Sequence, residues 1–223
     1  MRYKTNDHSM LQFIKDLFNQ KEVLKTLVIR DFKSRYLSSL IGLPWAFIQP
    51  AVYVLVVWFA FTFGLRGGDV AKGIAYAPWL LVSIVPWMFI SQTMIVSCMA
   101  LPDYAYLIKK TSFNVSFIPI IKILSGMIVH VILIFFIVIL LIFSYNIYPT
   151  IYWIQIFYYL FATFFLLSGI AWFVAAVNIF LHDMGHFINI LTTILFWATP
   201  IIWPYTMLQG KMRYIALLNP FFY

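Results

Sequence analysis

Sixty consecutive residues, 123–182, contain no Asp, Glu, Lys or Arg. A hydrocarbon core roughly 30 Å thick takes about 20 helical residues to cross, so this run holds two spans. Two earlier charge-free runs of thirty residues, 36–65 and 73–102, hold one span each. Residues 184–210, 27 in all and without a formal charge, supply a fifth. A transmembrane β-barrel would alternate over segments of roughly ten residues, and runs such as VILIFFIVILLIF at 131–143 do not alternate. Only a helix satisfies its own backbone hydrogen bonds within one continuous apolar segment. The chain reads as an all-α polytopic membrane protein.

Composition agrees. Hydrophobic residues make up 64% of the chain and charged ones 10%, with a mean hydropathy of +0.93, which excludes an ordinary soluble domain. The single cysteine, Cys98, allows no internal disulfide and offers no metal cluster. Residues 1–35 are charged throughout, so no cleavable leader is expected and the first span serves as the insertion signal.

The net charge of +8 is placed for a membrane rather than for nucleic acid. Arg2, Lys4, Lys15, Lys21, Lys25, Arg30, Lys33 and Arg35 precede the first span, and the loop after span two adds Lys109, Lys110 and Lys122. On the other side fall only Arg66, Lys72, Lys211 and Arg213. Eleven against four follows the positive-inside rule and puts the amino terminus in the cytoplasm.

Two regions follow. Residues 1–36 form a cytoplasmic amino terminus with an amphipathic interface helix. Met10, Phe13, Ile14, Leu17, Val23, Leu24, Leu27 and Val28 share one face, and Lys15, Asp16, Lys21, Glu22 and Lys25 the other. That helix either anchors the first span at the surface or packs on the ends of the spans beside a partner or gate. Residues 37–223 form the transmembrane domain, with spans at about 40–64, 79–99, 119–143, 152–177 and 187–203. Pro50 is expected to kink or interrupt the first span and Pro86 lies inside the second. Ser168, Gly169, Ala171, Ala175 and Ala176 give the fourth a small-residue face for close packing. Pro200, Pro204, Gly210 and Pro220 break the stretch after span five, which suits external re-entrant half-helices over about 204–219. A sixth span is expected to begin near 220.

The chemistry-bearing residues are few. No phosphate-binding Gly-rich loop or zinc-ligand spacing occurs. Ion-coupled carriers need ionisable groups at membrane depth, and His130 is the only candidate in the spans; it reads as neutral and satisfied by a neighbouring helix. A transporter built this way takes its energy from another polypeptide. Attention therefore moves to two cytoplasmic loops. Residues 102–110 read as a short amphipathic helix with Asp103, Tyr104, Leu107, Ile108, Lys109 and Lys110, and residues 178–186 as a compact turn with His182 and Asp183. Each is either a capped turn at the headgroups or a docking surface for a cytoplasmic motor.

LVIRDFKSRY at 27–36, SLIGLPW at 39–45 and Pro50 come first, followed by LIKK at 107–110, Phe113 and Pro119. His182 and Asp183, TPIIWP at 199–204, and Asn219 with Pro220 complete a series ordered against the spans. That series resembles the membrane subunit of ABC-2-type polysaccharide exporters, the group that moves O-antigen, capsule or teichoic acid chains. Ile41 and Pro44 depart from the pattern in the middle of its most diagnostic segment. The resemblance implies a type V exporter-like transmembrane domain that is not itself an enzyme. It implies an interface or gate helix bearing Arg30, Asp31, Lys33, Arg35 and Tyr36, and coupling to an ATPase through Asp103, Tyr104, Leu107, Ile108, Lys109, Lys110, His182 and Asp183. Two copies of the chain would work with two cytoplasmic ABC ATPase subunits in a bacterial inner membrane. This chain would hold no cofactor, with ATP and Mg on the partner, and a lipid-linked polysaccharide would be the substrate.

Aromatic residues form a fifth of the chain. Most suit interfacial belts and lipid-facing bulk. Sugar rings also stack on aromatic faces, and Trp45, Gln49 and Tyr53 share one helical face, as do Asn189, Thr193 and Phe196. These faces line a channel or pack helix on helix. Alternatives to polysaccharide export are an exporter of a lipid or drug on the same fold, a polytopic glycosyltransferase using Asp69, Asp103 or Asp183, and an assembly subunit.

Overall fold

The computed structural model describes residues 10–36, 39–64, 69–71, 74–110, 113–208, 210, 214, 216–217 and 219–221, with backbone alone at 10–14, 64, 69–71 and 74. Arg2, Lys4, Arg66, Lys72, Lys211 and Arg213 lie outside the described residues, as does most of the expected sixth span. The side chains of Met10, Phe13, Ile14 and Asp69 lie outside them too.

The amino-terminal amphipathic segment forms two helices, not one. α1 (Met10–Asn19) and α2 (Lys21–Ser34) meet at Gln20, whose φ of −102° and ψ of 17° leave the helical range. Leu24, Leu27, Val28 and Asp31 make the buried face of α2, spaced by three and four residues. They pack on Phe117 and Ile121 of a later helix. Val23, expected on this face, is exposed, because it lies about 100° round the helix from Leu24, at the edge of the stripe that Leu24, Leu27, Val28 and Asp31 form.

A turn at Gly42 separates this layer from the first span. Its φ of 69° is left-handed, which costs glycine little. Its N–H is accepted by both the carbonyl and the hydroxyl oxygen of Ser39. The span therefore starts later than Leu40: α3 runs Trp45–Phe59 and continues as a π-helical turn, Ala60–Gly64. Pro44 stands just before its first turn, and Pro50 does not interrupt it. The following segment holds a two-stranded antiparallel hairpin, β1 (Asp69–Ala71) with β2 (Ile74–Ala75).

α4 (Tyr76–Cys98) is the centre of the bundle. It packs on α3, on α7 (Phe117–Tyr145), on α8 (Gln155–Phe180) and on α9 (Met184–Ala198). Of the long apolar helices it is the most buried and α3 the least. The α4–α7 contact depends on Gly126, where a Cβ would stand 3.3 Å from the Phe89 ring. His130, one turn on, lies flat on that ring with centroids 4.6 Å apart and planes 8° from parallel. Its Nδ1 is buried with no hydrogen-bond partner among the described residues, so the imidazole packs as an aromatic ring and is not satisfied as expected. α7 ends at Asn146, which takes a left-handed φ of 55° while the Ile147 N–H reaches back to the Leu141 carbonyl.

A 3₁₀ turn, Ile151–Ile154, leads into α8. Ser168, Ala171 and Ala175 are buried there as expected, whereas Gly169 and Ala176 face outward because they stand one position off that stripe. Among the described residues four helices have the length and apolarity to cross a membrane, and this is a multi-pass membrane protein. α9, at 15 residues, is shorter. Beyond it the chain folds back in turns: the Tyr76 hydroxyl donates to the Ile202 carbonyl at 2.5 Å, Asn219 Nδ2 donates to Thr199 Oγ1 at 2.8 Å, and Phe221 meets Trp87 edge to face.

Candidate functional site

The first turns of α7 carry two polar side chains, Lys122 and Ser125, into the contact with α2. Three residues apart on a helix, they point to one side. α2 answers with Asp31, the polar member of its buried face. Lys122 Nζ donates to Asp31 Oδ1 at 2.7 Å, and Ser125 Oγ donates to Asp31 Oδ2 at 2.6 Å. Arg35, one turn beyond Asp31, donates from Nη2 to Asp31 Oδ2 and to Ser125 Oγ, each at 2.7 Å. Asp31 is 3% exposed and the Lys122 side chain 8%.

A third element joins from the segment between α4 and α7. It forms two short helices rather than one, α5 (Ala100–Asp103) and α6 (Ala105–Lys110), divided at Tyr104. Asp103 Oδ2 accepts from Lys122 Nζ at 2.8 Å. The Tyr104 hydroxyl donates to Asp31 Oδ1 at 3.3 Å, and Lys122 Nζ lies 5.4 Å from the centre of its ring. The sequence places Lys122 among the loop cations; it is instead a buried residue of α7, tolerated because two carboxylates face it. Lys122 of α7 thus joins α2 and α5.

The electrostatics follow from this geometry. Burial alone would push the Asp31 carboxyl up, but Arg35 and the hydrogen bonds from Lys122 and Ser125 together outweigh it and hold it below its ordinary value of 3.8. Burial, then the neighbouring Asp31 carboxylate, pushes the Tyr104 phenol well up, so it stays a donor. Because folded Asp31 ionises more readily than unfolded, its contribution to stability is complete above the unfolded value and is lost as pH falls through the lower folded one. Unfolding temperature followed in detergent should fall on acidification below about pH 4, and Asp31→Ala should remove part of that dependence.

The other residues of this end are arranged around the cluster. Leu107 packs with Leu24, Leu27, Val28 and Phe117, and Ile108 packs with Ala100, Ile118 and Ala175. Lys109 and Lys110 are exposed on α6, and Lys110 Nζ lies 2.9 Å from the Tyr106 hydroxyl and 4.3 Å above its ring centre. Arg30 and Lys33 point outward from α2, while Tyr36 stacks edge-on against Phe32. His182 and Asp183 occupy an exposed turn after α8 at the same end, where Asn178 Nδ2 lies 3.9 Å from the Met99 sulfur. Among the described residues no hydrogen bond or ion pair links His182 or Asp183 to the Asp103 cluster.

The two aromatic and amide faces lie elsewhere. Trp45, Gln49 and Tyr53 are exposed along α3, and Asn189 and Thr193 are exposed along α9. Phe196 is drawn partly inward, with its ring centre 6.1 Å from that of Trp87. Lys122 and Ser125 were absent from the sequence-predicted site. Their signal was a lone cation and a serine one turn apart inside an otherwise apolar helix start.

Residues 22–223 match the model of the family described as ABC-2 type transporter. A protein named O-antigen export system permease protein RfbA from Myxococcus xanthus is 26% identical over 219 residues, covering 95% of this chain and 80% of that one. A protein of the same name from Klebsiella pneumoniae is 24% identical over 209 residues, covering 89% and 75%. The match spans the buried charge cluster, the helices that carry it and the turns after α9, and the chain belongs to the ABC-2 type transporter membrane family.

Proposed function

We propose that this chain is the permease subunit of an ATP-driven exporter that moves a lipid-linked polysaccharide, such as O-antigen, out of the cytoplasm across the inner membrane. Two copies would form the conduit and two cytoplasmic ATPase subunits would bind ATP and Mg. The amino terminus, α2 and the α5–α6 segment would then face the cytoplasm. The α5–α6 segment and the turn at His182 and Asp183 would receive the ATPase. The exposed faces of α3 and α9 would meet the second copy or the polymer, with Trp45 and Tyr53 offering ring faces and Gln49, Asn189 and Thr193 offering hydrogen bonds.

One observation carries this reading: the α5–α6 segment, exposed at Tyr106, Lys109 and Lys110, is tied to α7 by the Asp103–Lys122 ion pair and to α2 by the Tyr104 hydrogen bond to Asp31. A loop that merely connected two spans would need no such ties. The names of the two relatives supply the polysaccharide class. The direct test uses a bacterium lacking its own O-antigen permease. Expressing this chain together with a cytoplasmic ABC ATPase subunit from the same organism should restore polysaccharide at the cell surface. Polymer that stays inside while both subunits are made and assembled would overturn the polysaccharide assignment, and restored export of a lipid or drug instead would replace it.

A further inference from the structure

Asp31 and Asp103 share one ammonium group, but their surroundings differ. Asp31 is 3% exposed and is held by Lys122, Arg35, Ser125 and Tyr104. Asp103 is 45% exposed and has Lys122 as its charged partner among the described residues. Opening the buried pair would leave a charge stranded away from water, which is costly. Opening the half-exposed ion pair itself costs little, because water replaces the lysine at Asp103 while Asp31 still compensates the lysine, so the apolar contacts of Ala100, Leu107 and Ile108 set the resistance to movement. The two bonds to one nitrogen are therefore a fixed joint and a releasable one.

We infer that Lys122 is a positioning residue that divides this end of the protein into a fixed body and a moving arm: α2 and α7 stay locked through Asp31, and the Asp103–Lys122 pair opens and closes as α5 and α6 move. Tyr104 is the pivot. It sits at the break between the two short helices, at φ −104° and ψ 13°. Its hydroxyl holds Asp31 at 3.3 Å, a longer bond than those from Lys122 and Ser125, so the arm keeps a weak tether when Asp103 lets go. Closure returns α5 to one register against α7, which α2 shares because both lean on Lys122.

This rests on the permease reading above, and the test separates the two. The complex of this chain with its ATPase is placed in proteoliposomes, and polymer chains delivered per ATP hydrolysed are counted. Asp103→Asn keeps shape but removes the charge that closes the pair, and should lower that ratio about tenfold, the usual scale of coupling between sites. Asp103→Glu, long enough to reach Lys122, should recover most of it. Because Asp103→Asn and Lys122→Gln break the same joint, their losses should fail to multiply in the double variant. An unchanged ratio in Asp103→Asn, or losses that multiply, would overturn the inference. A wild-type complex that delivers no polymer with ATP would instead overturn the permease reading. Asp103 is half-exposed, so its two variants fold and decide the matter even where Lys122→Gln does not.

Discussion

Replacing Asp31 with alanine should destabilise the protein by about 3–5 kcal/mol, the range for removing one partner of a buried ion pair. The loss comes from what remains. Lys122 would keep only the half-exposed Asp103, while Arg35 and Ser125 would face an empty space where the carboxylate stood. The apolar contacts of Leu24, Leu27 and Val28 with Phe117 and Ile121 would persist, but they flank the stranded charge. Arg35→Ala should cost clearly less, because Arg35 is 23% exposed and Asp31 would retain Lys122 and Ser125. Unfolding temperatures in one detergent, with yield of monodisperse protein as a second readout, separate the two variants. An Asp31→Ala protein as stable as the wild type would show that the cluster does not hold α2 in place.

Reversing the charges of α6, with Lys109→Glu and Lys110→Glu together, should weaken association with the ATPase by on the order of 100-fold, as expected for charges buried against a partner. If the ATPase docks on α6 as proposed, the packing of that helix decides which face it offers. Leu107 and Ile108 turn inward against α2, α5 and α7, leaving Tyr106, Lys109 and Lys110 outward. Lys110 Nζ lies 4.3 Å from the centre of the Tyr106 ring, so the cation and the aromatic face form one outward patch. Insertion and stability should stay normal, because neither lysine touches the buried cluster. Co-purification at graded concentrations measures the effect, and undiminished association would place the docking face elsewhere.

Four of the expected membrane spans were legible because hydropathy over twenty residues depends on composition alone, and α7 and α8 stand out most by that measure. Their edges were less so. The start of α3 depends on a single left-handed glycine, Gly42, which no count of apolar residues registers. α9 loses length to the prolines after Ala198, leaving a 15-residue helix. The loop at 102–110 was recognisable as a docking candidate, and Asp31 was included through its motif. What sequence reading missed is that Asp31 continues the apolar stripe of Leu24, Leu27 and Val28 and is therefore buried. Its partner Lys122 is 91 residues away, a separation that no local pattern bridges. A charge on the buried face of an amphipathic helix demands an opposite charge somewhere, and Lys122, alone among apolar neighbours, was the residue to look for.

On the proposed function, this chain is a passive conduit moved by nucleotide turnover on a partner. Purified protein in vesicles, with and without the ATPase, tests it most directly. Polymer should cross only when the ATPase and ATP are both present, and proton or sodium gradients should drive nothing through the chain alone. Gradient-driven accumulation by the chain without its partner would contradict that claim.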